Sequence, residues 1–421
     1  MTRTMRALAG QRRPAAASRA RVETSSGVPP WLEPLRPAGN KAITGLLASV
    51  QRDDKEAPSA DLLTAKQIAD AKLFYKLQPQ LYPPDIVVQL RTALGLLPVG
   101  GVDDELVISV AKFQLAEAGG SLALKIDGKA GPRTLPRIFR SGLNVASEGE
   151  AFGKDVQTGV VDQWATFADA AARRDALVVL VNKKLVAAGV PPVTAAFDEN
   201  PSNAGSFDFS TWQMKIGRKR LDGKTISVED AKDTADTVWH EARHTEQWFR
   251  MAQLRAGQGL KAPALVKELG IPAAEAAKAR AAPITGKSPL AVIAQGWWDS
   301  VYGAGGAHRG AVLDEIDAAS KALDKARAKF GANKTAQNKA ALVKAKARFD
   351  KAFAAYQNLP EENDAWATGP AAAVGVTSGS PEPEPEPEPA PAPAVIEEPA
   401  GAPPTPGESA HKTMPEKDLP E

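Results

Sequence analysis

His240-Glu241-Ala242-Arg243-His244 is the stretch that decides how the rest of the chain is read. Residues four apart on an α-helix share a face, so both imidazoles can reach one metal ion. Glu241 sits beside them, placed to hold a water as general base. The chain has only four histidines, and two are spent here. The flanks support a helix. Ser227-Val228-Glu229-Asp230 reads as a helix start, with Ser227 as N-cap. Val238, Trp239, Trp248, Phe249, Met251 and Leu254 follow at helical spacing, and Gly257 ends the run. The plain alternative is a helix with two unrelated histidines. A buried pair beside Glu and Arg would then need other partners.

The H-E-x-x-H pattern resembles the active-site helix of zinc metallopeptidases, the zincins. The resemblance implies Zn²⁺, a peptide or protein substrate, and Glu241 as the catalytic base. A catalytic zinc takes three protein ligands and keeps one position open. The chain has no cysteine, so histidine and carboxylate must supply them. The remaining histidines are His308 and His411, the latter in the tail. The metzincin pattern needs Gly and His three and six residues after His244; Gln247 and Arg250 stand there. A gluzincin-like carboxylate is therefore expected.

The candidate lies in Tyr356-Gln357-Asn358-Leu359-Pro360-Glu361-Glu362-Asn363-Asp364-Ala365-Trp366. Pro360 suits a first helical turn. Glu362 lies three and four residues before Ala365 and Trp366, on the face expected to point inward, where a carboxylate needs a cation. The stretch resembles the E-x-x-A ligand helix of H-E-x-x-H peptidases, with Glu362 and Ala365 as the matching positions. His240, His244 and Glu362 are thus the expected metal ligands, with Asp364 and Glu361 as alternatives. An acidic first turn that only complements the helix dipole is the competing reading. Tyr302, His308 and Arg309, around a Gly-rich stretch, are candidate donors to a developing oxyanion.

Ahead of the motif, Phe207-Asp208-Phe209, Trp212, Met214 and Ile216 alternate with period two, predicting one strand closed by Gly217. Its edge is positioned to pair with an extended peptide, or it is a plain sheet strand. Trp164 to Ala188 reads as one long helix. After Gly257 the chain is helical but broken by Pro263, Pro272, Pro283 and Pro289. Leu313, Ile316, Ser320, Leu323, Arg327 and Phe330, a turn at Gly331-Ala332-Asn333, then Leu342, Phe349, Phe353 and Tyr356 predict a helical hairpin.

Residues 61–143 read as a small helical unit. The Gln89-Leu90…Leu94-Gly95 helix, the Phe113-Gln114 pair and the Asp127-Gly128…Gly131-Pro132…Thr134-Leu135 turn resemble the peptidoglycan-binding-like domain, a three-helix module. That resemblance implies the fold. It allows two roles: binding cell wall, or serving as a prodomain or packing module.

The ends differ from the middle. Residues 1–52 hold nine Arg/Lys against two Glu; residues 370–421 hold ten Asp/Glu against two Lys. Residues 1–60 therefore read as a disordered basic leader, and 370–421, with its Pro-Glu repeat from Pro381 to Glu388, as a disordered acidic tail. The leader patch Gly39-Asn40-Lys41-Ala42-Ile43-Thr44-Gly45-Leu46-Leu47 resembles that of bacterial proteins tied to extracellular contractile injection systems, which implies an injection-system partner. With 43% hydrophobic and 24% charged residues and a net charge of +2, composition points to no nucleic-acid partner. The longest aliphatic run, Leu177 to Val181, is too short for a membrane span. The N-terminus lacks the apolar core of a secretory signal, so export would be non-classical and the protein otherwise cytoplasmic.

The expected architecture is mainly α with a small β-sheet: leader 1–60, peptidoglycan-binding-like module 61–143, linker 144–163, an α+β zincin domain with a long helical hairpin over 164–369, and tail 370–421. The expected function is zinc-dependent peptide hydrolysis, with wall targeting by the first module. The rival is a non-enzymatic cargo or structural component of a phage-tail-like machine. A third reading has the first module blocking the cleft until the 144–163 linker is cut.

Overall fold

The computed structural model describes residues 62–118, 122–199 and 204–381, which are mainly helical with one small sheet. The leader, and the tail from residue 382 on, lie outside them.

The chain opens with α1 (Ala65–Lys76), α2 (Pro84–Ala93) and α3 (Asp104–Ala116). Thr64 caps α1 in a reciprocal box with Gln67, and Asp103 caps α3 through the Leu106 amide. Leu63, Tyr75, Ile86, Leu90, Leu106, Val107 and Val110 form their shared core. The Asp127-Gly128 turn is read by Gln114, which accepts from both amides and donates to the Lys129 carbonyl. Gly128 is required there: its φ is +68°, and a Cβ would strike Val107. A short helix α4 (Leu135–Ile138) closes this part.

Residues 144–163 are not a linker. They form α5 (Ala146–Val156) and a wider helical turn over Gln157–Val161. Phe152, Val156, Val160 and Val161 are buried, and Phe152 stacks on Trp239 with ring centroids 5.0 Å apart. The described residues consequently belong to one compact unit. A linker whose cutting frees a cleft does not fit a buried helix.

The helix expected from Trp164 begins later, as α6 (Ala170–Ala187), because Asp169 caps it through the Ala172 amide. The sheet has three strands: β1 (Thr194–Asp198), β2 (Gly205–Asp208) and β3 (Gln213–Gly217), in the order β1-β3-β2. β1 runs parallel to β3 and β2 antiparallel to it. The single strand predicted over 207–217 is thus a hairpin. It breaks where Trp212 is buried at φ +54°, a conformation no strand continues through. β1 escaped sequence reading because Thr-Ala-Ala-Phe-Asp alternates poorly.

Next comes α7 (Val228–Gly257), capped by Ser227 as predicted and about 45 Å long at 1.5 Å per residue. Every residue from Val238 to Phe249 is buried, so the motif lies where α7 is enclosed on all sides. The later prolines start helices or lie between them: α8 (Ala262–Leu269) holds Pro263 in its first turn, α9 (Ala273–Ala281) follows Pro272, and α10 (Pro289–Val301) begins on proline. The predicted hairpin is α11 (Gly306–Ala332) and α12 (Ala336–Gln357). It returns the chain as α13 (Pro360–Gly375), with Pro360 in the first turn.

α13 packs between α5 and α7. Close approach is bought with glycine: a Cβ on Gly153 would overlap the Ala372 carbonyl, and one on Gly369 would overlap Asp236. The tail boundary at 370 moves accordingly. Residues to Gly375 are helical, Val376 is buried, and Ser380 exchanges hydrogen bonds with Ile226.

Candidate metal centre

α7 presents His240, Glu241 and His244, and α13 brings Glu362 across to them. The exposures are 6%, 4%, 3% and 0% in that order. The ligand atoms of His240, His244 and Glu362 all lie within 4.8 Å of one another. His240 Nε2 is 3.2 Å from His244 Nε2, which is 3.4 Å from Glu362 Oε2. A tetrahedral site with metal–ligand bonds of 2.0–2.1 Å has edges of roughly 3.3 Å, so both separations suit one shared ion. Neither Glu362 oxygen has a hydrogen bond of normal geometry, although both are buried. A carboxylate taken out of water without donors calls for a cation. These three residues form a group able to hold a metal ion.

The supporting contacts orient the ligands. His244 Nδ1 lies 2.9 Å from Gln247 Oε1. The orientation of the Gln247 amide follows from its other end, which donates to the Glu361 carbonyl and to Asp364 Oδ2. Its oxygen therefore faces His244, the proton sits on Nδ1, and Nε2 is the nitrogen turned towards Glu362. Trp366 stands edge-on to the His240 ring at 4.8 Å between centroids.

The electrostatics ask for positive charge at the same point. Burial alone would lower His244, but the Glu362 charge and hydrogen bond overcome it and lift the imidazole to about 9. Burial, helped by His244, takes His240 down to about 3. Burial would raise Glu362; the two histidines and an off-line contact from the Tyr356 hydroxyl hold it below its usual value. Glu241 is pushed up to about 7, by burial first, against the pull of His244 and the Phe207 amide.

Glu241 is also held in place. Its Oε2 accepts the Phe207 N–H of β2 at 2.9 Å. β2 is one of the two edge strands of the sheet and lies against α7.

The other candidates are elsewhere. Asp364 accepts from Arg243 Nε, Gln247 and Asn144, and Glu361 accepts from Arg309 Nε. Neither belongs to the group of His240, His244 and Glu362 whose ligand atoms come together. Tyr302 donates to the Leu269 carbonyl and accepts from Trp248, and His308 is exposed. Arg309 is buried against Glu361, with Nη2 unpartnered. Sequence reading missed Gln247 and Tyr356 as functional. Gln247 was visible three residues after His244, on the same helix face; Tyr356 was read as a hairpin seam residue.

No protein-family model, no curated protein and no solved structure matches the chain. No described helix is long and apolar enough to cross a membrane.

Proposed function

We propose that the chain is a zinc-dependent metallopeptidase of the H-E-x-x-H, gluzincin-like type. The observation that carries this reading is the meeting of Glu362 with His240 and His244 at ligand spacing, with the carboxylate buried and holding no hydrogen bond of normal geometry. Zn²⁺ would be held by His240 Nε2, His244 Nε2 and Glu362. When bound, the ion supplies Lewis acidity towards a carbonyl and makes water a better nucleophile at neutral pH.

The chain's own residues do the remaining work. Gln247 keeps the Nδ1 proton of His244 away from the metal side. Glu241 accepts a proton from water and returns it to the leaving amine. The Phe207 N–H keeps its carboxylate from turning away. An extended peptide as substrate is what the H-E-x-x-H resemblance implies. Wall targeting by the first module and delivery through an injection system extend the proposal. Their support is the sequence resemblance.

The test is Glu241→Gln. It keeps about one zinc per chain and loses peptide hydrolysis by about 10²–10⁴-fold. Equal hydrolysis by wild type and variant would remove the base from the mechanism.

One observation favours a second reading, a structural metal site in a non-enzymatic component. All four central residues are buried, and a closed site is the habit of structural metals. In that case Glu241→Gln changes neither metal content nor any turnover, because a structural site has no use for a base.

A further inference from the structure

The last residues of the first module, with Asn144 directly after it, bond to the two helices that carry the metal-ligating group. Asn144 Nδ2 donates to Asp364 Oδ1 at 3.0 Å. Arg137 Nη2 donates to Asn363 Oδ1 at 2.8 Å, and Arg133 Nη1 to Asn358 Oδ1 at 2.6 Å. The Leu143 amide donates to Glu246 Oε2 at 3.0 Å. The receiving residues are not scattered. Asn363 and Asp364 directly follow the ligand Glu362 on α13, and Asn358 precedes Pro360, where that helix begins. Glu246 is two residues beyond the ligand His244.

One path runs unbroken to a ligand. Asn144 bonds Asp364 Oδ1; Asp364 Oδ2 accepts Gln247 Nε2 at 2.8 Å; Gln247 Oε1 holds His244 Nδ1 at 2.9 Å. Asn144, Asp364, Gln247 and His244 are all buried, so water does not substitute for a missing member. Asn144 is itself fixed by a second bond from the same Nδ2 to the Pro136 carbonyl of α4, which ties it to the module.

We infer that the first module is a built-in clamp of the metal centre, with Asn144, Arg137 and Arg133 as positioning residues that hold Glu362 and His244 in binding geometry. The inference rests on the metal-site reading above and assigns the module a duty towards the chain itself. Metal affinity and these docking bonds are then two sides of one coupling: what removes a bond to α13 loosens the metal, and metal binding tightens the contact.

The test uses the full chain and Zn²⁺ titrated against a chromophoric chelator of known affinity, beside thermal unfolding of the chelated protein. Outer contacts of metal ligands carry about 10–100-fold in affinity, so Asn144→Ala should weaken zinc by about tenfold. Arg133→Ala, at a partly exposed position, gives a smaller loss in the same direction and serves if Asn144→Ala does not fold. Val110→Ala, in the module core away from these bonds, is the control. It lowers the unfolding temperature while zinc affinity stays within about twofold of wild type.

Wild-type affinity in Asn144→Ala and Arg133→Ala overturns the clamp. So does a zinc loss in Val110→Ala as large as that in Asn144→Ala, since the effect is then general destabilisation. If the wild type itself binds no zinc, the metal-site reading falls and the clamp with it, and the wild-type titration shows this before any variant is compared.

Discussion

Two buried polar clusters share the helix pair α7 and α13. One is His240, His244 and Glu362. The other is Arg243, Glu246 and Asp364, with Gln247 between them. Both are almost wholly out of water. In the second, the carboxylates are hydrogen-bonded by cations and amides: Arg243 donates to Asp364 at 2.8 Å and to Glu246 at 2.6 Å, Arg250 donates to Glu246 at 3.2 Å, and Asn144, Gln247 and Leu143 fill further acceptor positions. In the first, two ring nitrogens face each other and a carboxylate has no donor of normal geometry. Burial alone does not tell them apart. The difference is satisfaction: a completed polar cluster is part of the framework, and an incomplete one built from ligand-type atoms is able to hold a metal ion.

The largest expected effect breaks the incomplete cluster. Glu362→Ala takes metal occupancy from about one ion per chain to none, measured by elemental analysis after dialysis against micromolar zinc; retained zinc would mean another third ligand. The completed cluster fails differently. Asp364→Ala removes the acceptor of three buried donors, Arg243 Nε, Gln247 Nε2 and Asn144 Nδ2, and destabilises the chelated protein by about 3–5 kcal/mol, read from urea unfolding. A loss under about 1 kcal/mol would show that Arg243 finds another partner and that the cluster is not the framework described.

Metal removal separates the two clusters in one protein. With zinc at about 100 times its dissociation constant, chelation lowers stability by about 2.7 kcal/mol in wild type and not in Glu362→Ala, seen as a shift in unfolding temperature. Equal shifts would move the ion to a different site. The smallest effect concerns Gln247, which belongs to both. Gln247→Ala keeps the metal ligands and weakens zinc by about 10–100-fold, or about 1.4–2.7 kcal/mol, by chelator competition. Unchanged affinity would cut the link between the clusters.

Much of the site was legible in the chain. H-E-x-x-H works locally: helical spacing places His240, Glu241 and His244 together whatever surrounds them, and Ser227 marks where that helix starts. Glu362 was legible for a related reason, an acid set on the apolar side of a helix opened by Pro360. The hairpin α11–α12 followed from the spacing of its apolar residues. The failures lie where local pattern and tertiary demand disagree. The segment 144–163 carries Gly149, Gly153 and Gly159 among polar residues, which reads as linker. Two of those glycines are there so that α5 can approach α13. The strand predicted over 207–217 alternates well, and a buried Trp212 at positive φ still splits it.

By itself, the sequence determined which residues bear ligand-type atoms and which helix faces they occupy, because both depend on contacts within a few turns. Tertiary structure alone decided that Glu362 meets His244, that Asp364 and Glu361 are taken by Arg243 and Arg309, and that the first module bonds to the ligand helix. Those pairings join residues more than fifty positions apart, and each depends on how α13 is seated between α5 and α7. That seating is set by glycine contacts and buried hydrogen bonds, which leave no period in the chain.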